Sequence, residues 1–127
     1  MGGFTAYLAA CRCDVAVAVA FYGGGIVKSR PGIGFGPIID ETPQIKAPIL
    51  CLFGSNDPSI PREDVDAIDS ALKHAGNNHK IVVYPDAGHG FCCDARDAYN
   101  PAASAKSWSL AIEWLQSVLK IRASDLH

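Results

Sequence analysis

The sequence predicts an α/β fold, a parallel sheet with flanking helices. Three observations lead there. "VAVAVAF", "PILCLFG" and "KIVVYP" are apolar, β-branched runs of strand length. Such runs lack the alternation of a half-solvated strand and call for cover on both faces. Segments of helical spacing lie around them, and apolar strands separated by helices pair in parallel through right-handed crossovers. Two of the segments that follow strands, "GSNDPSIP" and "PDAGHGF", carry titratable residues, and open α/β sheets place their functional groups beyond the carboxyl ends of strands.

The elements follow in order. "FTAYLAACR", entered from Gly2 and Gly3, forms a short helix whose small residues allow close packing. In the first strand Val15, Val17, Val19 and Phe21 share one face. Ala16, Ala18 and Ala20 share the other, where a helix can approach closely. Gly23 to Lys46, rich in Gly and Pro, reads as a long loop, a kind of segment that tends to be functional or mobile. The second strand runs from Pro48 to Gly54 and ends in the turn-like "SNDPS". Pro61 suits a first helical position, Val65, Ile68 and Leu72 mark the buried stripe, and Gly76 ends the helix. "KIVVYP" is the third strand, followed by the loop "DAGHGFCCDARDAYN". From Pro101 the last helix sets Trp108, Ala111, Ile112, Leu115 and Leu119 on one side. Three strands make a narrow sheet, and the first is expected at its centre with something on its other side.

Composition narrows the function classes. A chain of 127 residues is one domain by length, and 49% hydrophobic with 19% charged residues excludes a disordered chain. A net charge of -2 supplies no basic field for nucleic acid or an anionic membrane. No apolar run approaches the ~20 residues of a membrane span, and no secretory leader pattern opens the sequence. Five cysteines at irregular spacing fit free thiols in a reducing compartment, so the cytoplasm is expected.

Asp57 and His89 are the candidates for chemistry. Taken singly, Asp57 reads as a turn or cap residue and His89 as a surface loop residue. Together they stand at two successive strand ends, and loops from neighbouring strands ~5 Å apart bring a carboxylate to an imidazole. A carboxylate that fixes one ring nitrogen leaves the other free as a base, as in Ser-His-Asp triads. In α/β-hydrolases the nucleophile precedes both residues, on a sharp strand-to-helix turn of the G-x-S-x-G type or its cysteine version. "MGGF" leading into a helix is what the second half of such an elbow looks like. Read this way, the nucleophile sits immediately before Met1.

Other readings are weaker. Cys11 and Cys13 fall at the end of the first helix, away from the strand ends, Cys51 lies within a strand, and Cys92 and Cys93, near enough to His89 in sequence to meet it, are poor candidates for the nucleophile. His89, Cys92, Cys93 and Asp94 are metal-ligand types but match no common zinc spacing, so no metal is expected. "FYGGG" lacks both G-x-G-x-x-G and a following Lys-Ser/Thr, so no nucleotide cofactor is expected.

These pieces resemble the C-terminal half of the dienelactone hydrolase family, cysteine-type α/β-hydrolases acting on lactones and esters. The resemblance is carried by "MGGF", "AVAFYGGG", "PILCLFGSND" and "YPDAGHGFCCDARDAYN", and by the helix around Ala102 to Trp108. It implies a partial α/β-hydrolase fold over residues 1–127 in which the N-terminal strands are missing, and a small ester or lactone as substrate. It makes Asp57 the triad acid and His89 the triad base. Met1 takes the position after the nucleophile, whose N–H helps form the oxyanion hole. Arg96 becomes the candidate for holding a substrate carboxylate and Phe91 for lining the pocket. A bare first strand is sticky, so self-association or pairing with a separate N-terminal half is expected. The alternative is a non-catalytic α/β module.

Overall fold

The computed structural model describes residues 1–30, 34 and 37–125, with side chains as far as residue 119; part of the long glycine-rich loop lies outside these residues. The chain forms α1 (Gly2–Arg12), β1 (Ala18–Phe21), a short 3-10 helix (Ile39–Gln44), β2 (Ile49–Gly54), α2 (Arg62–His74), β3 (His79–Tyr84) and α3 (Pro101–Asp125). The three strands are parallel in the order β1-β2-β3, with Ala18 beside Ile49 and Ile49 beside His79. The α/β class follows directly from this alternation.

β2, not β1, is the central strand. Its six residues, Ile49–Gly54, are all buried, because a strand paired on both edges and covered on both faces has no route to solvent. β1 is shorter than the apolar run that contains it and, among the described residues, pairs on one edge only, with Val19 and Phe21 half-buried.

The predicted division of β1 into two faces sets the layers. Ala18 and Ala20 join Phe4, Tyr7, Ala10 and Cys11 of α1 and Val65, Ile68 and Leu72 of α2 in one core layer. On the opposite face Leu50 and Leu52 pack with Tyr84, Ala87, Phe91 and Ala103, and Val19 and Phe21 border them. Small residues on the first face bring α1 so close that a Cβ on Gly3 would lie 2.1 Å from the Phe21 carbonyl oxygen and 2.7 Å from Gly23 Cα.

The described part of the long loop carries core residues and a 3-10 helix. Ile26, Ile38 and Ile45 are buried, and the 3-10 helix inside it places Thr42 beneath α1. There Thr42 Oγ1 and the Tyr7 hydroxyl lie 2.6 Å apart, both residues fully buried. Burial pushes the Tyr7 phenol well above its ordinary range, so it stays protonated. Tyr7→Phe is expected to cost about 1–3 kcal/mol, since it strands a buried Thr42 hydroxyl without its partner. A urea titration checks this as a lowered midpoint at unchanged slope.

Pro61 is the N-cap of α2 rather than its first residue. Gly76, at φ +69, closes the helix as predicted, with its N–H donated to Lys73 O and that of Asn77 to Leu72 O. α3 departs from expectation. Of its predicted apolar side only Ala111 is buried, while Trp108, Ile112 and Leu119 are 53%, 50% and 45% exposed. α3 turns Ala103, Ser104 and Ser107 inward with Ala111 instead. These small residues let it seat on the sheet, and the bulky side is left facing out beside β1, where Trp108 and Phe21 ring centroids are 5.3 Å apart. No helix among the described residues is long and apolar enough to cross a membrane.

Candidate active site

The site begins with two loops stitched together over the ends of β2 and β3. Gly54 is the last residue of β2, and a Cβ there would lie 2.2 Å from the Ala87 carbonyl oxygen. The bare glycine therefore lets the loop after β3 cross directly above it. Asn56 N–H then donates to Ala87 O (2.9 Å) and Ser55 N–H to Tyr84 O (2.9 Å), while Ser55 Oγ accepts from Asp86 N–H (3.0 Å). Asn100 fastens the far end of the same loop. Its N–H donates to Phe91 O, its side-chain oxygen caps α3 at Ala103 N–H, and Pro101 follows as the first helical residue.

Fixed in this way, the two loops bring Asp57 and His89 together. His89 Nδ1 lies 2.6 Å from Asp57 Oδ2. The carboxylate accepts, so Nδ1 donates and Nε2 is left as the free nitrogen. Asp57 Oδ1 accepts a second bond from Ser59 N–H at 2.8 Å. The Asp57 side chain is 0% exposed and that of His89 21% exposed, so the buried partner orients a ring whose outer edge reaches solvent.

Tyr22 completes the arrangement, and sequence reasoning missed it. It follows β1 directly and has φ +37, a left-handed backbone that costs a bulky residue about 1–3 kcal/mol. Its ring centroid lies 5.2 Å from that of His89 and 5.2 Å from that of Phe91. Burial pushes its phenol up, the nearby Cys92 and Cys93 add to the shift, and Arg96 opposes it. The available signal was an aromatic residue between a strand end and a glycine run. Nothing in that pattern specified its contact with a histidine 67 positions away (89 minus 22).

The remaining predicted residues fall as follows. Phe91 is a core residue rather than a pocket wall: it is 0% exposed, edge-on to Tyr22 and packed on Tyr84. The T-shaped preference of aromatic quadrupoles accounts for its place beneath the site. Arg96 is exposed, and its guanidinium passes over Gly90, where a Cβ would meet Nη1 at 3.2 Å. Arg96 thus stands on the rim beside His89. Met1 is 58% exposed at the start of α1, and its carbonyl accepts from the Thr5 N–H and hydroxyl. The Gly3 contact with Phe21 and Gly23 sets that helix start at the carboxyl end of β1, on the same edge of the sheet as Asp57 and His89.

Cys51 is fully buried with its thiol pushed up to about 12, and burial pushes Cys11 up to about 11, so neither provides a thiolate at neutral pH. Cys92 is held by Ser107, Sγ to Oγ 3.3 Å. Among the described residues no group of three or more His, Cys, Asp or Glu is arranged to hold a metal ion. A cavity of about 460 Å³ between Gly24–Arg30 and Pro58–Pro61 includes Ser59 in its wall but not His89.

A parallel sheet between helical layers, carrying a buried acid and a histidine at the carboxyl ends of adjoining strands, is the C-terminal architecture of an α/β-hydrolase. Residues 1–119 match the model of the dienelactone hydrolase family, and the chain belongs to that family. It is 40% identical over 119 residues to a Synechocystis sp. protein that carries the name carboxymethylenebutenolidase, covering 94% of this chain and 48% of that protein. An Escherichia coli K12 protein of the same name is 36% identical over 115 residues, covering 91% of this chain and 42% of the relative. A Klebsiella pneumoniae crystal structure described as a dienelactone hydrolase superposes with a TM-score of 0.81 at 32% identity, covering 88% of this chain and 47% of that one. The chain spans about half the length of the relatives it matches.

Proposed function

We propose that this chain supplies the acid and base of an ester or lactone hydrolase of the nucleophile-His-Asp kind. The observation that carries the reading is the 2.6 Å bond from His89 Nδ1 to Asp57 Oδ2 at the ends of adjacent parallel strands. The nucleophile, cysteine or serine, stands ahead of Met1 in the family's elbow. The tight Gly3 contact supports that placement, because an elbow needs small residues just after the nucleophile for its helix to close on the next strand.

In this mechanism His89 Nε2 takes the nucleophile's proton as the nucleophile attacks the carbonyl carbon. The Met1 N–H, as an amide in a continuous chain, shares in holding the oxyanion. His89 returns the proton to the departing alkoxide oxygen, and the acyl group remains on the nucleophile. Water, deprotonated by His89, then releases the acid and restores the nucleophile. Asp57 keeps the proton on Nδ1 throughout and stabilises the imidazolium formed at each step. Arg96 on the rim is placed to attract a substrate carboxylate.

Hydrolysis of p-nitrophenyl acetate tests the reading. The 127-residue chain alone is expected at the blank rate, and the same chain joined to the nucleophile-bearing half of its Synechocystis relative is expected to turn over. A rate from the chain alone that needs His89 and survives loss of Cys92 and Cys93 would overturn the placement of the nucleophile.

A second reading, a module that pairs with a separate N-terminal half, is favoured by the edge of β1 that is unpaired among the described residues and by the exposed Trp108 packed on Phe21 of that strand. Unpaired strand edges next to apolar surface recruit partners. Size-exclusion chromatography with light scattering is expected to show self-association of the isolated chain. A stable monomer at high concentration would count against the pairing.

A further inference from the structure

We infer that Tyr22 is a positioning residue: its ring, held by a left-handed backbone and by Phe91, fixes the imidazole of His89 against Asp57. The inference rests on the reading of His89 as the base. Three facts combine. First, the Tyr22 backbone occupies φ +37, where a bulky side chain is unfavourable, although Gly23 and Gly24 follow immediately and glycine would fit there without strain. Strain of this kind persists where the surroundings over-determine a residue, and it clusters at functional sites. The Tyr22 N–H is tied to Leu52 O at 2.6 Å and its ring meets Phe91 at 73° and Phe21 at 70°.

Second, the ring is spent on His89. The two centroids are 5.2 Å apart with planes at 60°, so Tyr22 packs against the imidazole. Third, His89 needs that contact. It follows Gly88 and precedes Gly90, the latter at φ +79, in a loop with little side-chain bulk of its own to limit ring rotation. Asp57 fixes one atom of the ring, Nδ1, by one hydrogen bond. One hydrogen bond leaves the ring some swing about its Cβ–Cγ bond, and the Tyr22 ring, packed against it at 60°, limits that swing. Ring and carboxylate together define where Nε2 points.

The test is nitrogen-15 NMR of the full chain, following the His89 Nδ1 proton, its tautomer and its exchange with water. Tyr22→Asn removes the ring yet accepts a left-handed backbone. Tyr22→Phe keeps the ring and loses only the hydroxyl. Tyr22→Asn is expected to speed exchange of that proton by about two- to tenfold, the factor corresponding to one such ring contact. Tyr22→Phe is expected to restore the parent rate. Tyr22→Gly, which also relieves the backbone, should match Tyr22→Asn even where it raises overall stability. An unchanged exchange rate in the asparagine and glycine variants overturns the role of Tyr22 and leaves the Asp57–His89 pair standing. A parent spectrum with no carboxylate-bonded His89 proton overturns the pair itself, and the inference with it.

Discussion

Asp57→Asn, in a chain joined to a nucleophile-bearing half, is expected to cut turnover by about 10³–10⁴-fold with little change in fold. The size follows from proton bookkeeping. Asp57 is an acceptor on both sides, with Oδ2 facing His89 Nδ1 at 2.6 Å and Oδ1 taking Ser59 N–H at 2.8 Å. An asparagine in the same place has one acceptor and one donor. If its oxygen keeps Ser59, its amide nitrogen must donate to His89 Nδ1. The ring proton then moves to Nε2, and the nitrogen that should accept the nucleophile's proton is already occupied. If the amide flips, its nitrogen faces the Ser59 N–H and two donors confront each other at a part-buried position. The first outcome lowers the rate and the second lowers stability. Steady-state kinetics with p-nitrophenyl acetate and the His89 tautomer by NMR separate them. Turnover retained within a factor of ten would remove Asp57 from the machinery.

Gly54→Ala is expected to destabilise the chain by roughly 3 kcal/mol or more, at the upper end of overpacking in a closed core. The added Cβ would lie 2.2 Å from the Ala87 oxygen and 2.6 Å from its carbonyl carbon, both backbone atoms. Rotating a side chain therefore cannot relieve it. The loop after β3 must lift, which breaks the Asn56–Ala87 bond and moves His89 away from Asp57. Gly2→Ala is the matched control, since nothing lies within 4 Å of its Cβ and Ala favours the helix by about 0.5–1 kcal/mol. Urea titration of the two variants should move in opposite directions. A neutral Gly54→Ala would show that the two loops are not clamped as described.

Much of this protein was legible without coordinates, and particular residues show why. The three strands announced themselves because β-branched, apolar runs are a local signal, and Gly76 and Pro101 marked helix ends through their own backbone chemistry. Asp57 and His89 could be paired in advance because parallel topology forces the ends of adjoining strands onto one edge of the sheet. The division of β1 into an alanine face and a valine face also marked the side where a helix can approach closely, and α1 and α2 pack on that side.

What remained depended on contacts between distant segments. α3 carries apolar residues on more than one side of its 25 positions, so periodicity alone could not choose the stripe. The sheet chose Ala103, Ser104, Ser107 and Ala111 because small residues let the helix approach, and Trp108 was turned out. The resemblance made Phe91 a candidate for the pocket wall, and its packing against Tyr22 and Tyr84 buries it in the core. The strained turn at Tyr22 was invisible for the same reason. By itself the sequence determined the elements, the family and the acid-histidine pair, all properties of local pattern and strand order. Only the tertiary structure decided which aromatic ring braces the histidine, because that choice belongs to side chains packing across three separate strand ends.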